Sequence, residues 1–186
     1  MHLSPSSPTT ARLFLCPWAQ RRRAWQNLVL PANGAALVTT SGTSSPAKQG
    51  FAVLQSGDAT KKLAVMAQVG ADEVAPSAIL TPPFVIPFDA TSAATTTAYL
   101  YNPNTGGSVV LSLAIYDNTG KALGAGQITI PAGQQGAIPM SKSAGGFGGS
   151  RGTLVLGGSG SVLAMGLRVG TDGRIEMVPL QAVNAP

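Results

Sequence analysis

Apolar and polar residues alternate one by one along several short stretches of the chain. In "VVLSLAIYD", Val109, Leu111, Leu113 and Ile115 point to one side and Val110, Ser112, Ala114 and Tyr116 to the other, which is the period of a half-buried β-strand. In "VLAMGLRVG" the same reading predicts Leu163, Met165, Leu167 and Val169 inward and Arg168 outward. "KLAVMAQVG" repeats it with Leu63, Val65, Ala67 and Val69 inward and Gln68 outward. No window carries the spacing of an amphipathic surface helix. "DNTG" between two alternating runs predicts a hairpin turn, with its glycine free to take a positive φ, and "PAGQ" and "GGSG" punctuate the chain in the same way. The prolines of "PPFVIPFD" (82–89) predict an edge strand or a stiff connector, because proline cannot donate to a ladder.

The strands recur along the chain. "LVLPANGAALV" from Leu28 matches "ITIPAGQQGAI" from Ile128, so that Pro31 stands against Pro131, and Gly70 stands against Gly170 at the same spacing of one hundred. "QGFAVLQSG" and "RGTLVLGGSG" align with a shift of 102, and "DEVAP" answers "IEMVP", placing Pro76 opposite Pro179. Further back, Ala11, Leu13 and Leu15 fall opposite Leu111, Leu113 and Ile115; the match breaks only where "PWAQRRR" replaces "DNTGK". Small insertions in turns with a preserved order of strands are what duplication leaves behind. The expected fold is all-β: tandem antiparallel β-sandwiches of about seven short strands each. Residues 1–80 form an incomplete repeat, firm from residue 28, and residues 81–186 a complete one. The first is N-terminally truncated on this reading, since "FVIPFDATSAATTTA" has no counterpart in it. An edge left open in that way invites strand addition, and with it self-association.

Charge narrows the choice of partners. Twelve Lys and Arg against seven Asp and Glu give +5, but Arg12, Arg21, Arg22 and Arg23 all precede Leu28, and the remainder is eight against seven. A basic cluster without interleaved aromatics or a binding motif does not make a nucleic-acid surface. Cys16 is the sole cysteine and His2 the sole histidine, so no intrachain disulfide and no Cys/His zinc site is expected. No apolar run reaches the roughly eighteen residues of a membrane span. "LFLC" is too short for a signal peptide, and "RRR" follows it instead of preceding it.

Candidate chemistry is sparse. A Ser-His-Asp site needs an imidazole base, and His2 lies near a chain end. The carboxylates Asp58, Asp72, Glu73, Asp89, Asp117, Asp172 and Glu176 mostly sit in or beside predicted turns, where Asp bonds the local backbone. "GGFGGSRG" (145–152) fits neither phosphate-loop pattern and reads as a flexible hairpin loop. No catalytic residue, metal or cofactor is expected. Tyr99 and Tyr101 alternate with Leu100, so with Leu100 in the core both lie outward, near Tyr116. These three tyrosines are the candidate binding residues, able to stack on sugar rings or to stabilise a sheet as cross-strand pairs.

"FVIPFD", "YLYNPNTGGSVVLSLAIYDNTGKALG", "ITIPAGQ", "RGTLVL" and "VLAMGLRVGTDGRIEMVP", in this order, resemble the repeated β-sandwich module of large secreted and surface proteins of soil bacteria, the acidobacterial kind especially. The likeness covers residues 84–183 and, as a partial second copy, 28–76. It implies an immunoglobulin-like sandwich, an extracellular or cell-surface location, and a non-enzymatic role as structural spacer or adhesion-type module. Its partners would be other domains of the same protein, a surface protein or a polysaccharide. It carries no catalytic or binding residue over to this chain. The alternative is a carbohydrate-binding module that uses the tyrosine face.

Overall fold

The structure, a computed structural model, describes residues 9–17, 24–30, 35–38, 50–58, 67–69, 72–74, 79–141 and 147–183. His2, Arg21, Arg22, Arg23, Leu63, Val65, Pro76 and Gly145 lie outside the described residues. The described residues form strands and no helix, and every pairing is antiparallel. The chain divides into two compact units, Met1–Ala64 and Val65–Pro186.

In the first unit β1 (Thr9–Pro17), β2 (Ala24–Leu30) and β3 (Gly50–Ser56) form one sheet in the order β2-β1-β3. The second unit opens with a hairpin of β4 (Ala67–Val69) and β5 (Asp72–Val74), then β6 (Ile79–Leu80). Its body is built from β7 (Phe84–Asp89), β8 (Ala94–Tyr101), β9 (Val109–Asp117), β10 (Ala122–Ile130), β11 (Gln135–Met140), β12 (Arg151–Ser159), β13 (Val162–Gly170), β14 (Ile175–Val178) and β15 (Gln181–Ala182). One sheet runs β10-β9-β12-β7-β15, the other β11-β8-β13-β14, with β6 beside the start of β13. The Val183 amide donates to the Pro83 carbonyl at 3.0 Å, so the chain enters and leaves this body side by side.

Both sheets feed one core. The β10-β9-β12-β7-β15 sheet supplies bulk, with Phe84, Ile86, Leu111, Leu154 and Leu156 fully buried. The facing sheet answers with Ala98, Leu100 and Ala164, and with Gly166, where an added Cβ would sit 3.0 Å from Ile86 Cγ2. Close-packed interiors require such matching of large to small. β9 shows the expected faces, with Val109, Leu111 and Ile115 buried and Val110, Ser112 and Tyr116 exposed.

Two expectations are corrected. In β13 the inward set is Val162, Ala164 and Gly166, not Leu163, Met165, Leu167 and Val169. At Gly166 an added Cβ would already press on Ile86 and Val178, so the bulkier alternate residues of β13 do not fit on the inward side there. The leucines and Met165 are therefore half-buried on the outer face, and Val169 is exposed. Arg168 moves with the register to the inner side. β7 is a strand and not a connector: it pairs with β12 along its length and with β15 only at Phe84 and Val85, so among the described residues it is an edge from Ile86 on, and it buries Phe84, Ile86 and Phe88. β15 pairs only with Phe84 and Val85, so at exposed Pro87 one flank of the strand has no ladder to supply, and the missing N–H costs nothing there.

The ladders of β1 to β5 correspond pair for pair to ladders of the second unit's body. Adding one hundred to each number of the seven β1/β2 pairs, from Thr9↔Leu30 to Leu15↔Ala24, gives pairs of β9/β10, from Val109↔Ile130 to Ile115↔Gly124. Adding one hundred on β1 and 102 on β3 converts Ala11↔Ser56 through Pro17↔Gly50 into Leu111↔Gly158 through Asp117↔Gly152. The β4/β5 pairs become those of β13/β14 with shifts of one hundred and 103: Gln68↔Glu73 maps onto Arg168↔Glu176. Glycine is required at Gly152, where a Cβ would collide with the Tyr116 carbonyl, and Gly50 stands at the corresponding place.

Ile86→Ala and Leu156→Ala should each cost about 2–5 kcal/mol, as truncated core side chains do, whereas Leu167→Ala should cost about 1 kcal/mol. Denaturant unfolding of the full chain measures all three. A Leu167 variant as damaging as the other two would return that side chain to the core.

Candidate functional site

Charge is concentrated at one end of the second unit's body. Asp89 closes β7 and is 7% exposed. Its Oδ1 accepts from the Thr91 amide at 3.0 Å and the Thr91 hydroxyl at 2.6 Å. Its Oδ2 accepts from Arg151 Nε at 3.0 Å and Arg168 Nη2 at 3.4 Å. Arg151 begins β12 in the same sheet, but Arg168 comes from β13 in the other, so the carboxylate ties the two sheets together. Arg168 Nη1 reaches on to Glu176 Oε2 at 2.8 Å, while its buried Nε has no hydrogen-bond partner among the described residues. The backbone of Asp89 is held as well, its amide donating to Thr96 Oγ1 at 2.9 Å.

Burial alone would raise the Asp89 pKa, but the Thr91 hydroxyl and amide and the Arg151 guanidinium outweigh it, and the net effect holds the carboxyl below its ordinary value. A carboxylate so stabilised is a weak proton acceptor, and its chemistry here is that of a clamp. Asp117 repeats the local part of this arrangement at the β9–β10 turn. Oδ1 accepts from the Thr119 hydroxyl (2.6 Å), the Thr119 amide (2.8 Å) and the Lys121 amide (3.0 Å). The Thr119 hydroxyl bond leads in lowering its pKa. Gly120, at φ 85°, completes the turn that "DNTG" predicts.

The opposite end is closed by an amide. Asn102, fully buried after β8, donates from Nδ2 to the carbonyls of Ile130 (2.9 Å) and Gly107 (3.1 Å) and accepts from the Asn104 amide at 3.0 Å. Ile130 ends β10, so this side chain also bridges the two sheets. The body is therefore pinned at both ends by a buried polar side chain, Asp89 and Asn102, whose oxygen and nitrogen atoms find partners, as buried polarity requires.

A shallow polar depression of about 320 Å³ lies beside the Asp89 cluster, lined by Thr91, Asp117, Asn118, Gly149, Ser150 and Arg151. Residues 147–150 of the glycine-rich loop are tied down next to it. Gly149 N donates to Ala90 O at 2.8 Å, Ala90 N donates to Ser150 O at 2.9 Å, and the Phe147 ring meets Phe88 edge-on at 6.1 Å. Among the described residues no three of His, Cys, Asp and Glu come together as metal ligands. No helix of the described residues is long and apolar enough to cross a membrane.

The three candidate tyrosines are not brought together. Tyr99 and Tyr101 lie on β8, on the outer face away from buried Leu100, where they pair with Met165 and Leu163. Tyr99 is half-buried and Tyr101 is 8% exposed, so only the first presents a ring edge to solvent. Tyr116 is exposed on β9, in the other sheet. The residues that do converge, Asp89, Arg151 and Arg168, were missed as a group. The local Asp-x-Thr spacing at 89–91 and again at 117–119 was the one sequence signal for part of it.

Asp89→Ala should cost about 2–3 kcal/mol, because two arginines lose a charged acceptor, whereas Glu176→Gln, an exposed pair, should cost less than about 1 kcal/mol. A folded-state pKa below the unfolded one stabilises above the ordinary carboxylate value, and that stabilisation is lost as pH falls through the folded value. Stability should therefore drop below about pH 4, with a shallower slope in Asp89→Asn. Thermal unfolding across that range reads both slopes, and equal slopes would remove Asp89 as the source. Comparison with protein-family models, with curated proteins and with solved structures finds no match to this chain.

Proposed function

We propose that the chain is a non-enzymatic structural module of a secreted or cell-surface bacterial protein, a spacer or adhesion-type element made of two copies of one immunoglobulin-like β-sandwich. The observation that carries this reading is the pair-for-pair correspondence of the ladders at shifts of one hundred, 102 and 103. Self-similarity at a nearly fixed period is the sequence signature of repeat architectures, in which each copy is one structural unit. The use of charge supports it: Asp89, Arg151, Arg168 and Asp117 are engaged in holding sheets and turns. Side-by-side chain ends favour the adhesion role, because they let the body project from the polypeptide with its far turns outermost.

A polysaccharide array probed with the full chain and with Tyr99→Ala and Tyr116→Ala separates this from carbohydrate binding. The structural reading expects all three proteins to give the same retention. Retention that either substitution abolishes would make the tyrosine a sugar platform and replace the proposal. Tyr101→Ala is less informative, since its side chain is buried and its loss would disturb the sheet.

A further inference from the structure

β10 is the last strand of the β10-β9-β12-β7-β15 sheet, and the chain is described continuously on both sides of it, through the turn from β9 and on into β11. Gly124, Ala125, Gly126, Gln127 and Thr129 are all exposed. Elsewhere the margins of the body carry the residues that ordinarily blunt an edge: Pro139 in β11, Pro87 in the open stretch of β7 and Glu176 in β14. "ALGAGQITI", the whole of β10, contains neither proline nor charge.

The strand is also complementary to itself. Its register with β9 shifts between Ala122 and Gly124, so the regular stretch runs from Gly124 to Ile130, with Gln127 at its midpoint. A second copy laid antiparallel about a two-fold axis at Gln127 sets Gly124 opposite Ile130, Ala125 opposite Thr129 and Gly126 opposite Ile128, each pair occurring twice. On the core side, the two isoleucines of one strand then stand beside the two glycines of the other. Ile130 is buried and Ile128 packs against the core. Among the described residues, a Cβ added at Gly124 would meet nothing within 4 Å, and one added at Gly126 would meet only Leu113 Cδ1, at 4.0 Å. The glycines thus leave the space that the isoleucines of a second copy need. On the solvent side Ala125, Gln127 and Thr129 meet their images without a charge on either strand.

We propose that β10 is a self-association edge: two copies of the chain pair antiparallel through Gly124–Ile130, two-fold at Gln127, and join their five-stranded sheets into one. The occupant is a second copy because the glycine half and the isoleucine half of the same strand fit each other, a match that a foreign strand would have to reproduce. The inference goes beyond the structural-module reading and does not depend on the duplication. Seven residues a side is far fewer than the roughly 20–30 of a standard interface, so the dimer is weak, half-formed at a concentration on the order of 100 μM.

Sedimentation velocity of the full chain from about 1 μM to about 1 mM should show a monomer giving way to a dimer, and hydrogen exchange at 124–130 should slow in step with the dimer fraction. Gln127→Lys sets the same charge beside its own image at the axis and leaves the core alone, since Gln127 is exposed and stands beside Ser112 of β9. It should weaken the dimer about fivefold, and Gln127→Glu should do the same. The two variants mixed should associate about tenfold more tightly than either alone, a rescue that no loss of folding can imitate. Gly126→Val fills the space that Ile128 of the other copy needs and should weaken the dimer about tenfold, with the circular dichroism of the monomer unchanged. A chain that stays monomeric throughout overturns the proposal, and so does a dimer that protects 50–56 or another stretch and leaves 124–130 as it was. A dimer that protects 124–130 but is indifferent to Gly126→Val, or a mixture no tighter than its components, overturns the two-fold register.

Discussion

Gly166 and Ile86 meet across the second unit so closely that a Cβ added to the glycine would sit 3.0 Å from Ile86 Cγ2, and much of the module follows from that contact. The sheet carrying Phe84, Ile86, Leu154 and Leu156 supplies most of the bulk, and the opposite strands present Ala98, Ala164 and Gly166 between Leu100 and Val162. Because β13 turns its small residues inward, Arg168 follows on the same side, two positions beyond Gly166, where the core ends and Asp89 waits. The clamp is thus a by-product of the packing register.

Features that depend on neighbours in sequence were readable from the sequence, and features that depend on partners far away were not. β9 was legible because its two faces differ sharply, Leu111 against Ser112 and Ile115 against Tyr116. The "DNTG" turn was legible because Asp117, Thr119 and Gly120 complete its hydrogen bonds among themselves. β13 was misread because both its faces are apolar, and hydrophobicity favours the bulkier one, whereas the core selected the smaller. One pairing would have settled it: Met165 stands beside Tyr99, and a tyrosine judged outward cannot have an inward neighbour at the same level of the pleat. Asp89 finds its arginines 62 and 79 positions away, a separation at which no local pattern speaks. Pro87 was legible in part, since it marks the stretch of β7 where only one flank carries a ladder.

Corresponding ladders differ in their side chains. Main-chain pairing agrees at every described position of the β1/β2, β1/β3 and β4/β5 ladders, yet Asp117 corresponds to Pro17, Leu154 to Ala52 and Arg168 to Gln68. Backbone register is set by turns and glycines such as Gly50 and Gly152, and it tolerates substitution as long as those remain. The charged clamp, in contrast, works only as a set, and the aspartate kept without its arginines would be a buried anion with no cation beside it.

The adjacency of Phe84 and Ala182, with Val183 bonded to Pro83, also fixes how the body would answer a mechanical load. Tension drawn through its two chain ends acts perpendicular to the short β7/β15 ladder and opens it one hydrogen bond at a time, instead of shearing many bonds together.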